Sequence, residues 1–416
     1  MQSPRSTLGL IFLTVFISMV GFGIVIPVLP VYAVQERFAM TPQALGFLVG
    51  VFSLTQLVSA PLFGMLSDRV GRKPVLLVSI LGTALGFFVI GFAETAWMLF
   101  LGRIIDGASG GNIATAQACV ADVTPPEKRS KAMGVIGAAF GLGFVMGPAL
   151  GGWLGQYSTQ APFFFAGFLS IINALLVWMR LPETFPQEMR ARSAQKASLM
   201  EVFRGGRGVF ISLLLLASLL STTGFAYIHV LFALFCKDRF SWDVRQTSMA
   251  FAYVGILAVL VQGGLLRRLL QRNIEKQVAL VGAVLLAGSL YWLPRVTGVS
   301  QFFWGSCALM ALGNGLLTPT LSGLASRHVH GDVQGRLMGL LSVAGSLGRF
   351  LGPTLAMVPF PGDFTRLGRP LAEEILQIAN AGYTQSFTQG AVLIAVSFLC
   401  VAVVRVPRET APESAA

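Results

Sequence analysis

Charge is what this chain has least of. Asp, Glu, Lys and Arg make up 12% of its 416 residues, about half the share found in soluble domains. Its four cysteines, Cys119, Cys236, Cys307 and Cys400, are far apart. That spacing gives neither a disulfide framework nor a zinc site. The three histidines form no cluster, and His328 and His330 fall in a loop. No Gly-rich phosphate loop ending in Lys-Ser/Thr occurs, and no Gly-x-Ser-x-Gly elbow. An ATP-driven pump and a hydrolase are therefore disfavoured, no enzyme activity is expected, and no cofactor or metal is implied. The first apolar run, Leu8 to Pro30, is too long for a signal-peptide core and is expected to be a membrane helix.

What the chain has instead is apolar length. Hydrophobic residues make up 54% of it, with 47 glycines and 32 phenylalanines. About 20 apolar residues are needed to cross the hydrocarbon core of a bilayer. Runs of that kind lie near 8–30, 44–66, 75–93, 97–119, 132–154 and 162–180. A second set lies near 208–235, 247–266, 277–293, 300–324, 336–358 and 386–405. The predicted fold class is all-α: a polytopic membrane protein of twelve helices. Two six-helix bundles at 1–181 and 207–408 flank a polar linker at 182–206, and a tail follows at 409–416.

The formal charge of +12 does not call for nucleic acid, because the basic residues sit in short gaps between apolar runs. Twelve spans place both termini on one side. The gaps on the other side hold Arg37, Lys237, Arg239, Arg245, Arg295, Arg366 and Arg369. Arg103 and Arg349 lie inside spans, and the other 21 of the 30 Lys and Arg residues are on the side of the termini. The positive-inside rule then predicts cytoplasmic termini in a cell membrane.

The halves repeat one another. The stretch from Gly134 to Pro148 lines up with that from Gly339 to Pro353, 205 positions on, and each opens the fifth span of its half. Parallel six-helix repeats are a transporter architecture, with the solute path between them. The expected partners are a small-molecule solute, protons and the bilayer, with the chain acting as a monomer.

The sharpest motif is Gly64-Met-Leu-Ser-Asp68-Arg69-Val-Gly71-Arg72-Lys73-Pro74, between spans two and three. Gly71 can take a positive φ at a tight turn, and Pro74 suits the first turn of the next helix. Asp68 can pair with an arginine or face a helix N-terminus. A plain positive-inside anchor is the alternative. This loop resembles the signature of the major facilitator superfamily. Arg103-Ile-Ile-Asp-Gly107 resembles the second motif of that superfamily. Gly143-Phe-Val-Met-Gly147-Pro148-Ala-Leu-Gly151-Gly152 resembles its third, associated with antiporters. Leu181-Pro182-Glu183-Thr184 and Asp238-Arg-Phe-Ser-Trp-Asp243 add to a likeness with drug:proton antiporters of the tetracycline-efflux type. The resemblance implies that Asp68, Arg69, Gly71 and Arg72 latch the halves in the outward-facing state. It also implies that Gly147 and Pro148 shape a path-lining helix, although a packing role alone would need the same residues. Where tetracycline exporters carry acids in spans one and three, this chain has Ser18 and Gly86, and Ala258 stands where a histidine is expected. Those departures speak against tetracycline itself.

Charges inside spans are functional candidates by default. Asp106 lies about ten residues from one end of its span, roughly 15 Å deep at 1.5 Å per residue. On a wheel of 100° per residue Arg103, Asp106, Gly110 and Gln117 share a face and form one polar stripe, while Asn112 points away. Asp106 is the predicted proton-binding residue and Arg103 its modulator; a static ion pair that only neutralises both is the alternative. In span eleven Ser342, Ser346 and Arg349 share a face. Arg349 could attract an anionic group of the solute, balance Asp106, or pack facing water. Ser18, Gln56, Asn173, Tyr227, His229, Gln262 and Asn314 are further polar candidates, each also explicable as a helix–helix hydrogen bond. The function expected is proton-coupled efflux of a small amphipathic compound by alternating access. A nutrient, sugar or organic-anion facilitator or symporter, and a non-transporting membrane sensor, remain as alternatives. The segment 359–384 is expected to carry a short helix with an apolar stripe of Leu371, Ile375 and Ile378.

Overall fold

The computed structural model describes residues 4–185, 203, 208–271, 274–327, 331–360 and 373–404. These residues are almost wholly helical, and no strand occurs among them. The first half holds Pro4–Ala33, Pro42–Val70, Arg72–Gly91, the pair Ala96–Ala108 and Asn112–Val123, Pro126–Gly155 and Ala161–Arg180. They are named spans one to six. The second half holds spans seven to twelve. Span seven joins Gly208–Ala226 to Ile228–Phe240. Span eight runs from Val244–Leu260 through a π-helical stretch, Val261–Leu266, into Arg267–Leu270. Span nine is Glu275–Trp292, and span ten is Gln301–Cys307 followed by Ala308–Arg327. Span eleven is Gly331–Ala356 and span twelve Glu373–Val403.

Ten of the described helices are long and apolar enough to cross a membrane. The remaining two are span four, which is broken, and span eleven, which carries Asp332, Arg336 and Arg349. The architecture is thus the twelve-helix one that hydropathy predicts. The outer surface agrees: Trp97, Trp153, Trp178, Trp292 and Trp304 are exposed, each near a span end, where indole rings favour the membrane interface.

Local chemistry sets the ends of the helices. Thr41 caps span two through Ala44 N, with Pro42 in the first turn. Asp243 and Gln246 form a reciprocal capping box on span eight, which satisfies two backbone donors at once. Gly71 takes φ 116° between spans two and three, a conformation that side chains with a Cβ rarely adopt. The turn is therefore as tight as the motif predicts.

The two halves use one packing device. A Cβ on Gly147 of span five would lie 2.7 Å from Gly23 Cα, and one on Gly23 would lie 2.9 Å from Pro148 Cδ. In the second half a Cβ on Gly352 of span eleven would lie 2.6 Å from the Thr223 carbonyl oxygen of span seven. Small residues let these backbones approach, so the 205-residue repeat is a repeat of helix contacts.

The halves meet mainly at the end of the bundle away from the termini. There Gln43 Nε2 donates to the Phe360 carbonyl at 3.2 Å, and Phe47 and Phe350 pack edge to face at 5.8 Å. A Cβ on Gly255 of span eight would lie 3.0 Å from Val145 of span five. One apolar core joins both halves, through residues such as Leu29, Leu45 and Phe163 with Val230, Phe251 and Met357. Toward the termini the first half has a separate core around Ile11, Leu76 and Ala139. The second half has its own around Val261, Val278 and Leu316. The bundle is closed at one end and divided at the other.

Two expectations need correction. Span four is not one helix from 97 to 119: it breaks at Ser109-Gly110-Gly111. The part of the 359–384 segment from Glu373 on is not a separate helix, because it runs straight into span twelve. Leu371, most of the linker at 182–206, the tail at 409–416, His328 and His330 lie outside the described residues.

Candidate functional site

A cavity of about 390 Å³ lies between the halves, lined by residues of both. That volume suits a drug-sized ligand. Most of its wall is apolar and aromatic. Phe22, Phe52, Phe87, Phe140 and Phe144 come from the first half and Phe225 from the second. Polar side chains are interspersed among these rings. Ser18, Gln56, Thr83, Asp106 and Asn112 come from the first half, and Thr222, His229, Asn314, Thr318 and Arg349 from the second.

Asp106 and Arg103 form an ion pair, with Nη1 to Oδ2 at 3.1 Å. Both are almost fully buried, Asp106 at 5% and Arg103 at 2% exposed. Asp106 faces the main cavity, while Arg103 faces a smaller one beside it. The guanidinium also stacks 4.5 Å over the Phe52 ring, a favourable place for a cation. Its Nε has no hydrogen-bond partner.

Space for Asp106 comes from Gly86 of span three. A Cβ there would lie 2.9 Å from Asp106 Cβ and 2.8 Å from the Gly102 carbonyl oxygen. The position at which the tetracycline-exporter pattern carries an acid is therefore filled from the neighbouring helix.

The break in span four rearranges the predicted stripe. Gln117 lies beyond the break and is exposed, outside the cavity lining. Asn112, assigned to the opposite face by unbroken-helix geometry, lines the cavity and donates to Ser18 Oγ at 2.8 Å. Gln56 Nε2 donates to the Gly110 carbonyl at 3.2 Å, which ties span two to the break.

Other candidates divide in the same way. Asn314 lines the cavity and accepts from Thr318 Oγ1 at 3.0 Å. Ser346 is buried and accepts from Arg349 Nη2 at 2.9 Å. Ser342 is exposed and bonds back to the Met338 carbonyl. Gln262 is exposed in the π-helical stretch, and Tyr227 is buried off the cavity. Asn173 accepts from Thr14 Oγ1 at 3.1 Å, away from the lining. The aromatic lining escaped sequence reading because an apolar residue facing a cavity has the same signature as one facing lipid.

The loop after span two is a second centre. Arg72 is buried and binds Asp68 at 2.6 Å and Asp122 of span four at 3.0 Å. Its guanidinium lies 4.6 Å over the Phe185 ring. Glu183 accepts from the backbone N–H groups of Arg72 at 2.8 Å and Lys73 at 3.2 Å. A carboxylate at a helix N-terminus is favourably placed. The role imagined for Asp68 against a helix end is thus filled by Glu183. Asp68 is half exposed, and Arg69 is exposed.

These features are a solute-sized cavity between two repeats, a buried ion pair in its wall and a charged loop at the divided end. The sequence profile described as Major Facilitator Superfamily matches residues 11–353. The chain belongs to the Major Facilitator Superfamily. It is a transporter rather than an enzyme, related to tetracycline and multidrug efflux proteins. It is 33% identical to the tetracycline resistance protein, class E, of Escherichia coli, covering 82% of this chain and 84% of that one. It is 28% identical to multidrug resistance protein 1 of Bacillus subtilis (strain 168), over 87% of this chain and 92% of that one. A bacterial homolog of the human lysosomal transporter Spinster, solved inward-facing and unoccupied, has the same fold. The TM-score is 0.80, with 17% identity and coverage of 97% of this chain and 98% of that one. In superfamily terms, the cavity lies where a solute path between repeats belongs.

Proposed function

We propose that the protein is a secondary exporter of small amphipathic compounds, driven by proton entry through alternating access. The observation that carries this reading is the Asp106–Arg103 pair in the wall of the cavity between the halves. A carboxylate there can take a proton when the cavity meets one aqueous side and release it to the other. Arg103 modulates it, since the guanidinium favours the carboxylate form while burial opposes charge. The Lys and Arg bias supports cytoplasmic termini. With that orientation the divided end of the bundle faces the cytoplasm, and the conformation is inward-open. Closing that end and opening the other would carry solute outward. Asp68 and its neighbours stand at the end that must close, which supports their role as a latch.

The test is flux in proteoliposomes with and without an imposed pH gradient, on wild type and Asp106→Asn. A proton-coupled exporter accumulates substrate only with the gradient. The variant is expected to lose at least about 100-fold of gradient-driven accumulation while keeping solute–solute exchange, because one buried charge is removed. Unchanged rate and pH dependence in the variant would end the coupling role of Asp106. Binding without any flux would point to a sensor instead.

A further inference from the structure

Among the described residues, three charged side chains line the two cavities between the halves, and two of them answer each other. Asp106 is held by Arg103. Arg349 of span eleven faces the same cavity from the other half and has no acid. Among the described residues no carboxylate lies within ion-pair distance of it. Its one hydrogen bond is from Nη2 to Ser346 Oγ at 2.9 Å. A guanidinium carries five N–H donors in a planar fork, so most of this fork is open. Arg349 also lines the small cavity beside the main one, and so do Arg103 and His229. His229 is wedged edge-on between Phe22 at 6.3 Å and Phe225 at 6.0 Å. With histidine neutral, the charged groups in these walls sum to one positive charge, and that charge sits on Arg349.

Arg349 is partly buried, and a cation held in such a cavity wall without a counter-ion is costly where the dielectric constant is low. A fork of open donors is suited to a carboxylate or sulfonate, which it can bind through two parallel bonds. The same wall carries the ring cluster of Phe22, Phe52, Phe87, Phe140, Phe144 and Phe225. Apart from Arg349 and Asp106, its polar groups are hydroxyls, amides and an imidazole. A cationic amphiphile would find its one possible partner, Asp106, already engaged, and would meet Arg349 unscreened.

We infer that the cavity selects aromatic amphiphiles bearing a single negative charge, with the acidic group on Arg349 and the rings against the phenylalanine cluster. This deepens the export reading, on which it rests for the identity of the cavity as a solute site. Arg349 is then the residue that sets solute charge, while Asp106 is left free for protons.

The experiment uses the purified full-length chain at equilibrium, with no gradient, so that a failure of proton coupling does not affect it. Binding of three probes of nearly equal shape is measured by calorimetry: 2-naphthylacetate, neutral 2-naphthylacetamide and cationic 2-(2-naphthyl)ethylammonium. Wild type is expected to bind the acetate at least tenfold more tightly than either other probe. Arg349→Gln is expected to lose that preference while binding the amide as wild type does, which also shows that the variant is folded. Arg349→Lys is expected to keep part of the preference, since it keeps the charge and loses the fork. Equal binding of the three probes by wild type, no binding of any, or an Arg349→Gln preference as large as that of wild type would overturn the inference. If the charge preference holds and gradient-driven flux fails, the export reading falls and the anion site stands.

Discussion

The two halves share a packing plan and differ in their charges. Gly147 against Gly23 and Gly352 against Thr223 are the same contact, 205 residues apart. Yet the first half holds the Arg103–Asp106 pair and the Asp68–Arg72–Asp122 network. From the second half the charge that faces the cavity is Arg349. Its counterpart of the charged loop, Gly264-Leu-Leu-Arg267-Arg268, lies in and just after a π-helical stretch and itself holds no Asp. Span four is broken beside the cavity, whereas span ten runs unbroken from Ala308 to Arg327. A duplicated scaffold thus gives both repeats one way to pack, while the Arg103–Asp106 and Asp68–Arg72–Asp122 ion pairs lie in the first of them. The other contributes Arg349 and aromatic wall.

The largest effect should come from the loops. Arg72→Ala removes two ion pairs, a bond to Ser67 and a ring contact from a buried site. Breaking such a network is expected to cost about 3 kcal/mol. Arg268→Ala, at an exposed residue of the second half's corresponding loop that stands in the place of Asp68, should cost within about 0.5 kcal/mol. Thermal unfolding of the two variants checks the contrast; equal costs would mean that the loops are equivalent after all.

Next come the shared contacts. Gly147→Ala and Gly352→Ala each place a methyl against backbone of the facing helix. Overpacking of this kind should cost about 1–3 kcal/mol, by similar amounts in the two halves. Unequal losses in the same unfolding assay would show that the repeats have diverged in packing as well as in charge.

The smallest effect tests the break in span four. Asn112→Ala removes a cavity-lining donor that holds Ser18. It should slow transport by about fivefold, in line with the loss of one hydrogen bond of about 1 kcal/mol. Gln117→Ala, exposed beyond the break, should leave the rate unchanged. The reverse ranking in a flux assay would restore the unbroken helix.

That last pair also marks how far the sequence could be read. Apolar runs gave the spans because crossing a bilayer needs length, and length survives any detail of packing. Even the short run at 277–293 became a full helix, Glu275–Trp292. The turn at Gly71 was legible because one backbone conformation needs one residue type. The ion pair was legible because charge in a membrane is rare. The face of Gln117 was misjudged because a wheel assumes an unbroken helix. Ser109-Gly110-Gly111 is the sequence signal of the break, and a wheel that places Gly110 on the polar stripe passes over it. Phe140, Phe144 and Phe225 gave no signal, since their neighbours in space come from distant segments.

The fit of Asp106 into the space left by Gly86 has a consequence for how such transporters can change. The pocket between spans three and four has room for one acid, and either helix could supply it. A second carboxylate would crowd the first, so the lineage can relocate this group across the helix pair but cannot readily duplicate it. A chain carrying Gly86→Asp together with Asp106→Gly would present the same carboxylate from a different helix. Under the proposed coupling, stoichiometry would stay the same, and a different segment would have to move to bring the acid to water.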